Sequence, residues 1–186
     1  CFFISVFLIT RMIRNEIIAR GRFDFGNFYI RRARRLVPAL LVTVIATYFV
    51  GLFALQIDQL SRFSGAAIAA ATYLSNFYFW SESGYFDIAS TQKPLLHTWS
   101  LGVEEQFYLF WPLLLVVLAR QLQSLKGAAF IGSIGLASFV LNVLMVDEHA
   151  SAVFFLLPFR VFEFAIGAAV VWLVEWDDQR RRSDMR

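Results

Sequence analysis

Six apolar runs separated by short charged segments set the pattern of this chain. The first, residues 1–10, carries no charge but is half the ~20 residues that a helix needs to cross a bilayer. It is read as the last half of a span whose start is missing. Beyond Trp176 the chain also stops without a domain boundary. Five longer runs occupy residues 36–57, 63–81, 95–119, 127–146 and 150–174. Each is long enough to span as a helix, and helix is the default because a lone apolar strand leaves its backbone groups unpaired in hydrocarbon. Trp80, Trp111, Trp172 and Trp176 fall mostly near the ends of these runs, where indoles favour the membrane interface. The pattern predicts an all-α polytopic transmembrane helix bundle, present in part, over residues 1–176, with 177–186 as a cytoplasmic loop or a truncated end.

Composition agrees. Hydrophobic residues make up 59% and charged ones 17%, against roughly 45–50% and about 25% in a globular domain. Twenty-one Phe are more than one compact core needs. One cysteine excludes an intramolecular disulfide, and no cysteine–histidine cluster suggests a metal.

Charge placement gives orientation. Eight arginines (11, 14, 20, 22, 31, 32, 34 and 35) sit between the first two runs. Arg120 and Lys126 follow the run at 95–119, and Arg180, Arg181, Arg182 and Arg186 close the chain. The positive-inside bias places all three segments in the cytoplasm, with the Asp147–Glu148 turn outside. Three apolar runs lie between Arg35 and Arg120, however, and three crossings cannot return to the same side. The run at 63–81, the shortest and the richest in Ser, Thr and Asn, is expected to be re-entrant, lining a cavity where protein or water covers its backbone.

Polar residues inside the runs are the candidate chemistry. At about 100° per residue, Glu104 lies about 20° from His97 on a helix, Tyr108 about 20° on the other side and Ser100 about 60° away. Glu105 is turned by about 80°. Two carboxylates near bilayer depth cost several kcal/mol unless paired, protonated or wet, and such groups are functional by default. The bland alternative is a helix end at the interface with solvated glutamates. Arg160 and Glu163, at i and i+3, either neutralise each other or belong to a site.

The block KPLLHTWSLGVEEQFYLFWPLLL, residues 93–115, resembles the signature of the acyltransferase-3 family, the O-antigen-acetylase-like integral membrane acyltransferases of bacterial envelopes. FFISVFLIT (2–10), FYIRRARRLVPALL (28–41), SNFYFW and GYFD (75–87) and LLPFRVFEFAIGA (156–168) resemble the family's other blocks, in its order. Val6 departs from the pattern, standing where the family usually has glycine, which is expected to loosen or shift a close helix contact. The family's first helix, with its arginine and essential histidine, would lie upstream of Cys1, so the fragment alone is expected to be inactive.

The resemblance implies transfer of an acyl group, usually acetyl from acetyl-CoA, to a hydroxyl of a glycan or lipid-linked sugar such as lipopolysaccharide O-antigen, in the bacterial inner membrane. It assigns the upstream histidine as base or acyl carrier, with Glu104 or Glu105 orienting it and His97 as a substitute or a structural hydrogen-bonder. Trp99, Ser100, Gln106, Arg160 and Glu163 are substrate or structural polar candidates. An Arg-x-x-Arg motif is matched by Arg31/Arg34 and by Arg32/Arg35, whose guanidinium forks suit CoA phosphates. Topology alone would also explain the arginines. Membrane lipids are expected partners. Nucleic acid is not, because the basic cluster is short and pinned to a membrane. Two further readings remain: a transporter or flippase with the glutamates as a proton relay, and a lipid-binding scaffold.

Overall fold

The computed structural model describes residues 2–83, 93–118 and 125–184. Eight helices carry almost all of them: α1 Phe2–Arg20, α2 Phe25–Ala54, α3 Ile57–Ala71, α4 Ser75–Glu82, α5 Thr98–Val117, α6 Leu125–Met145, α7 Ala150–Phe155 and α8 Val161–Asp184. A 3-10 turn, Leu157–Phe159, precedes α8, and no strand occurs among the described residues. The fold is all-α and polytopic. Among the described residues, three helices are long and apolar enough to cross a membrane: α2, α5 and, from Lys126, α6. α2 turns Val42, Phe49, Val50 and Phe53 outward, the last 92% exposed. Water would not tolerate so continuous an apolar face, whereas lipid does.

The helices start and stop where local chemistry dictates, and this moves several expected boundaries. The arginine-rich segment is mostly helix, with Arg22 in the short break between α1 and α2. Arg11, Arg14 and Arg20 lie in α1, and Arg31 to Arg35 lie in α2, ahead of its apolar run. Asp24 starts α2 by accepting the Asn27 backbone N–H at 3.0 Å, and arginine is a good helix former. Residues 177–184, expected as a loop or end, continue α8, since no Gly or Pro interrupts them. The run at 150–174 is carried by α7, the 3-10 turn and the start of α8. Cys1, the GYFD block and the basic residues Arg120 and Arg186 lie outside the described residues.

The chain divides into two compact units. The first comprises residues 1–23, 107–153 and 157–186. Here α8 packs on α1 and α6 through small residues. A Cβ on Gly167 would meet the Phe3 carbonyl oxygen at 2.9 Å, and one on Gly135 would meet the Ala165 Cβ at 2.6 Å. Close backbone approach of this kind is how membrane helices associate without a hydrophobic drive between them. Val6 is fully buried. The α7–α8 break is sealed by α6. The Ser138 hydroxyl donates to the Pro158 carbonyl at 2.6 Å and accepts the Phe162 N–H at 3.2 Å, and the Asn142 amide donates to the Phe159 carbonyl at 3.0 Å.

The second unit comprises residues 24–106 and 154–156. Phe63, Ala66, Phe79, Leu95 and Phe155 form its core. The run at 63–81 does not continue as one helix. It breaks at Thr72–Leu74, and α4 folds back along α3, so that Arg62 and Glu82 form an ion pair at 3.9 Å. The Tyr78 hydroxyl shares its proton between the Arg62 carbonyl at 3.0 Å and the Glu82 carboxylate at 3.1 Å. Burial and then Glu82 push the Tyr78 phenol up to about 12, so it stays a neutral donor. Gly65 makes the hairpin possible, since a Cβ there would meet the Tyr78 hydroxyl at 2.8 Å. Both ends of the hairpin lie together.

This geometry predicts that single cysteines at Gln59 and Ser83, in an otherwise cysteine-free full-length protein, react with a membrane-impermeant maleimide from the same face. Reaction from opposite faces would show that the segment crosses. Gly65→Leu should abolish the pattern or the folded yield.

Candidate functional site

Within the second unit, three neighbouring residues of α5 organise the polar chemistry: Gly102, Glu105 and Gln106. Glu105 reaches α2. Its carboxylate takes Arg32 in a two-point grip, Nη2 to Oε1 at 2.5 Å and Nε to Oε2 at 3.5 Å, across 73 residues of sequence. Both side chains are about four-fifths buried, at 20% and 15% exposure. A forked guanidinium–carboxylate pair of this kind is geometrically demanding, and Lys could not reproduce it. The Arg32 guanidinium also lies 5.9 Å from the Phe28 ring centroid.

Gln106 reaches the hairpin. Its amide donates to the Tyr73 carbonyl at 3.0 Å and to the Asn76 Oδ1 at 2.7 Å. Asn76, with no exposed surface, donates in turn to the Phe155 carbonyl at 3.2 Å and to Gln106 Oε1 at 3.4 Å. Ser75 donates to the Thr98 carbonyl at 2.7 Å. Gly102 leaves the room for this approach: a Cβ there would lie 3.1 Å from both the Asn76 Oδ1 and the Tyr73 carbonyl oxygen. Every amide group of the Asn76–Gln106 pair is thus used, which is the condition for keeping polar groups in a low-dielectric interior.

The remaining candidates separate. Glu104 is half-buried and makes no hydrogen bond or ion pair with a described residue. Arg31, Arg34 and Arg35 are exposed, likewise without an ion pair among the described residues, so Arg32 differs from its neighbours. His97 lies outside the helix, which begins at Thr98; its imidazole is exposed and bonds to no described residue. The expected common stripe of His97, Ser100, Glu104 and Tyr108 therefore runs from an exposed imidazole to a fully buried Tyr108. Ser100 donates to the His97 carbonyl at 3.1 Å and closes the first turn of its own helix. Trp99 packs on Phe154 and Phe155 at 4.6 and 5.7 Å between ring centroids. In the first unit Arg160 and Glu163 neutralise each other at 2.8 Å.

Three residues carry roles that the sequence did not expose. Asn76 was visible only as one polar letter in an apolar run, and Tyr73 as one aromatic among many. Arg14 had been absorbed into the cytoplasmic basic cluster. In the first unit it is buried to 5% exposure, 5.3 Å over the Trp172 ring, while Trp111 donates to the buried Thr10 at 2.9 Å. At the mouth of the hairpin, Arg62, Tyr78, Glu82 and Lys93 ring a cleft floored by Phe63 and Phe79. Its volume of about 30 Å³ holds a water and not a sugar.

A family model described as an acyltransferase domain matches residues 2–184. A Haemophilus influenzae protein bearing no functional name is 35% identical over 125 residues, 67% of this chain and 51% of that protein. A Listeria monocytogenes protein named peptidoglycan O-acetyltransferase is 32% identical over 176 residues, 92% of this chain and 28% of that protein. A Bacillus subtilis protein whose name gives the same activity provisionally is 35% identical over 178 residues, again 92% of this chain and 28% of its own length. The chain therefore spans between about a quarter and a half of these curated relatives. No solved structure matches it significantly.

The amide pair generates a stability prediction. Asn76→Ala removes the donor to the Phe155 carbonyl and leaves the Gln106 amide with the Tyr73 carbonyl alone, at about 1–3 kcal/mol per buried group left unpaired. The melting temperature of the purified full-length protein in detergent should fall by several degrees, and Gln106→Ala should add little on top because both changes break one network. Additive losses would show that the two amides act separately.

Proposed function

The chain belongs to the acyltransferase domain family, and from that premise we propose that it is the donor-binding part of a membrane enzyme that moves an acetyl group from acetyl-CoA to a hydroxyl of a cell-envelope glycan. The observation that carries the reading is the Arg32–Glu105 grip, which holds the arginine run of α2 against the carboxylates of α5.

The division of labour follows from who is already partnered. Arg32 is committed to Glu105 and acts as a buttress. Arg31, Arg34 and Arg35 remain to meet the donor's phosphates, and their spacing at i, i+3 and i+4 keeps them on one side of α2. The donor supplies the activated acetyl. In the transfer, the acceptor hydroxyl oxygen bonds to the acetyl carbon, the carbon–sulfur bond breaks, and the hydroxyl proton ends on the leaving thiolate by way of a base. Glu104, which carries no partner among the described residues, is the carboxylate free to orient a basic imidazole or hold its positive charge. A proton-relay transporter fits less well for Glu105, whose two oxygens are committed to the Arg32 guanidinium.

The names of the relatives favour peptidoglycan over lipopolysaccharide O-antigen as the first acceptor to test. Acetyl-CoA as donor places the arginine face of α2 in the cytoplasm and the protein in the cytoplasmic membrane.

The test is transfer of labelled acetyl from acetyl-CoA by the full-length protein, with peptidoglycan fragments and O-antigen as separate acceptors. Arg31→Lys/Arg34→Lys should raise the KM for acetyl-CoA while insertion stays normal. Arg32→Lys and Glu105→Gln should each lower kcat at least about tenfold, and the double variant should be no worse than the singles. Glu104→Gln should cost about 30- to 1000-fold in kcat, the loss expected for one charge-assisted bond at a reacting centre. Near-wild-type rates in all of these variants would remove the site, and movement of glycan without consumption of acetyl-CoA would replace the enzyme with a transporter.

A further inference from the structure

The turn of the α3–α4 hairpin holds a residue in the wrong conformation for its type. α3 ends in a Schellman cap: the Leu74 N–H bonds to the Ala69 carbonyl at 2.8 Å and the Tyr73 N–H to the Ala70 carbonyl at 3.1 Å. The residue at the pivot of that cap must be left-handed, and glycine usually fills it because it has no Cβ to clash. Here the pivot is Tyr73 at φ +57°, the one non-glycine residue at positive φ among the described residues. α1 ends the ordinary way, with Gly21 at φ +67°. A bulky side chain is disfavoured in this region, and strain of this kind collects at functional sites.

Two features show what the strain secures. The Tyr73 carbonyl is pinned by Gln106 at 3.0 Å, over Gly102, so the turn is held at the level of α5 where Glu105 meets Arg32. The side chain is half-buried there, and its hydroxyl bonds to no described residue. The turn is bonded to Gln106, the residue that follows Glu105 on α5. The phenol is a hydrogen-bond donor with no acceptor among the described residues, on a turn pinned one residue along α5 from the carboxylate that grips Arg32.

We propose that Tyr73 occupies a glycine position for the sake of its phenol, which serves the acyl-transfer site beside Arg32 and Glu105 as a hydrogen-bond donor to the acetyl carbonyl oxygen as negative charge develops on it. The inference rests on the acyltransferase reading above and adds to it a catalytic residue on the hairpin turn. No proton leaves the phenol in the step. It donates a hydrogen bond while the carbon–sulfur bond breaks and the new ester forms.

Two variants of the full-length protein separate this role from a structural one. Tyr73→Phe keeps the ring and the strained backbone and removes only the hydroxyl. It should lower kcat by about 10- to 1000-fold, the range for loss of one transition-state donor, with the KM for acetyl-CoA and the melting temperature unchanged. Tyr73→Gly supplies the residue that the cap prefers; it should insert and fold at wild-type yield and be as inactive as the Phe variant. If Tyr73 were merely packing, the order would invert, with Phe silent and Gly failing to fold. An active wild type with an equally active Phe variant would overturn this inference and leave the acyltransferase reading standing. A folded wild type that transfers no acetyl would remove both.

Discussion

Satisfying polar groups where water is scarce is the constraint from which the second unit takes its form. Glu105 and Gln106 are adjacent on α5, so their side chains leave the helix about 100° apart. One direction meets α2 and the other meets the hairpin turn. Glu105 takes Arg32 with both oxygens, and Gln106 takes the Tyr73 carbonyl and the Asn76 amide. A single turn of α5 therefore fixes a basic helix on one side and the α3–α4 hairpin on the other. Gly102, one turn earlier, sets how near the hairpin can come. Remove either side chain and the partner it leaves behind is a buried charge or an orphaned amide, the most expensive defects that such an interior can carry.

How much of this was legible in the sequence depends on the range of the interaction involved. The helical class and the runs at 36–57, 95–119 and 127–146 follow from apolar length alone, and each corresponds to a helix able to span. Charge parity singled out 63–81 as the run that does not cross, and the structure breaks that run at Thr72–Leu74 with α4 folded back on α3. The pairing of Arg62 with Glu82 is its local consequence. Individual partners were not legible. Helical phase grouped His97 with Glu104 and Tyr108 and set Glu105 apart, yet a shared face says nothing of depth along the helix or of which helix lies opposite. His97 fell before the helix began. The choice of Glu105 for Arg32 depends on a contact across 73 residues, which no periodicity encodes.

The arginines illustrate the same limit from the other side. The positive-inside rule explains eight of them at once and so distinguishes none. In three dimensions they fall into different classes. Arg14 is buried against Trp172, Arg32 is gripped by a carboxylate, and Arg31, Arg34 and Arg35 stay exposed at the start of α2. An averaged electrostatic rule is satisfied by the sum of charges. A site depends on which charges remain uncommitted, and only the packing reveals that.

The carboxylates bear on the chemistry in the same way. Two adjacent glutamates in an apolar helix would be tolerable if each had a cation, and the described residues give one cation to one of them. An apolar residue in place of Glu104 would be the cheaper solution for a helix that had only to span. Glu104 is half-buried beside a charge pair already complete and has no hydrogen bond or ion pair among the described residues, which suits a carboxylate held for a reaction. Tyr73 makes the parallel case in the backbone, a residue kept where glycine would be easier. Both departures from the cheapest structure lie by the same turn of α5. On the proposed reading that turn is where positive charge on a base and negative charge on a carbonyl oxygen must both be met during transfer, and a structure built for stability alone would have needed neither group.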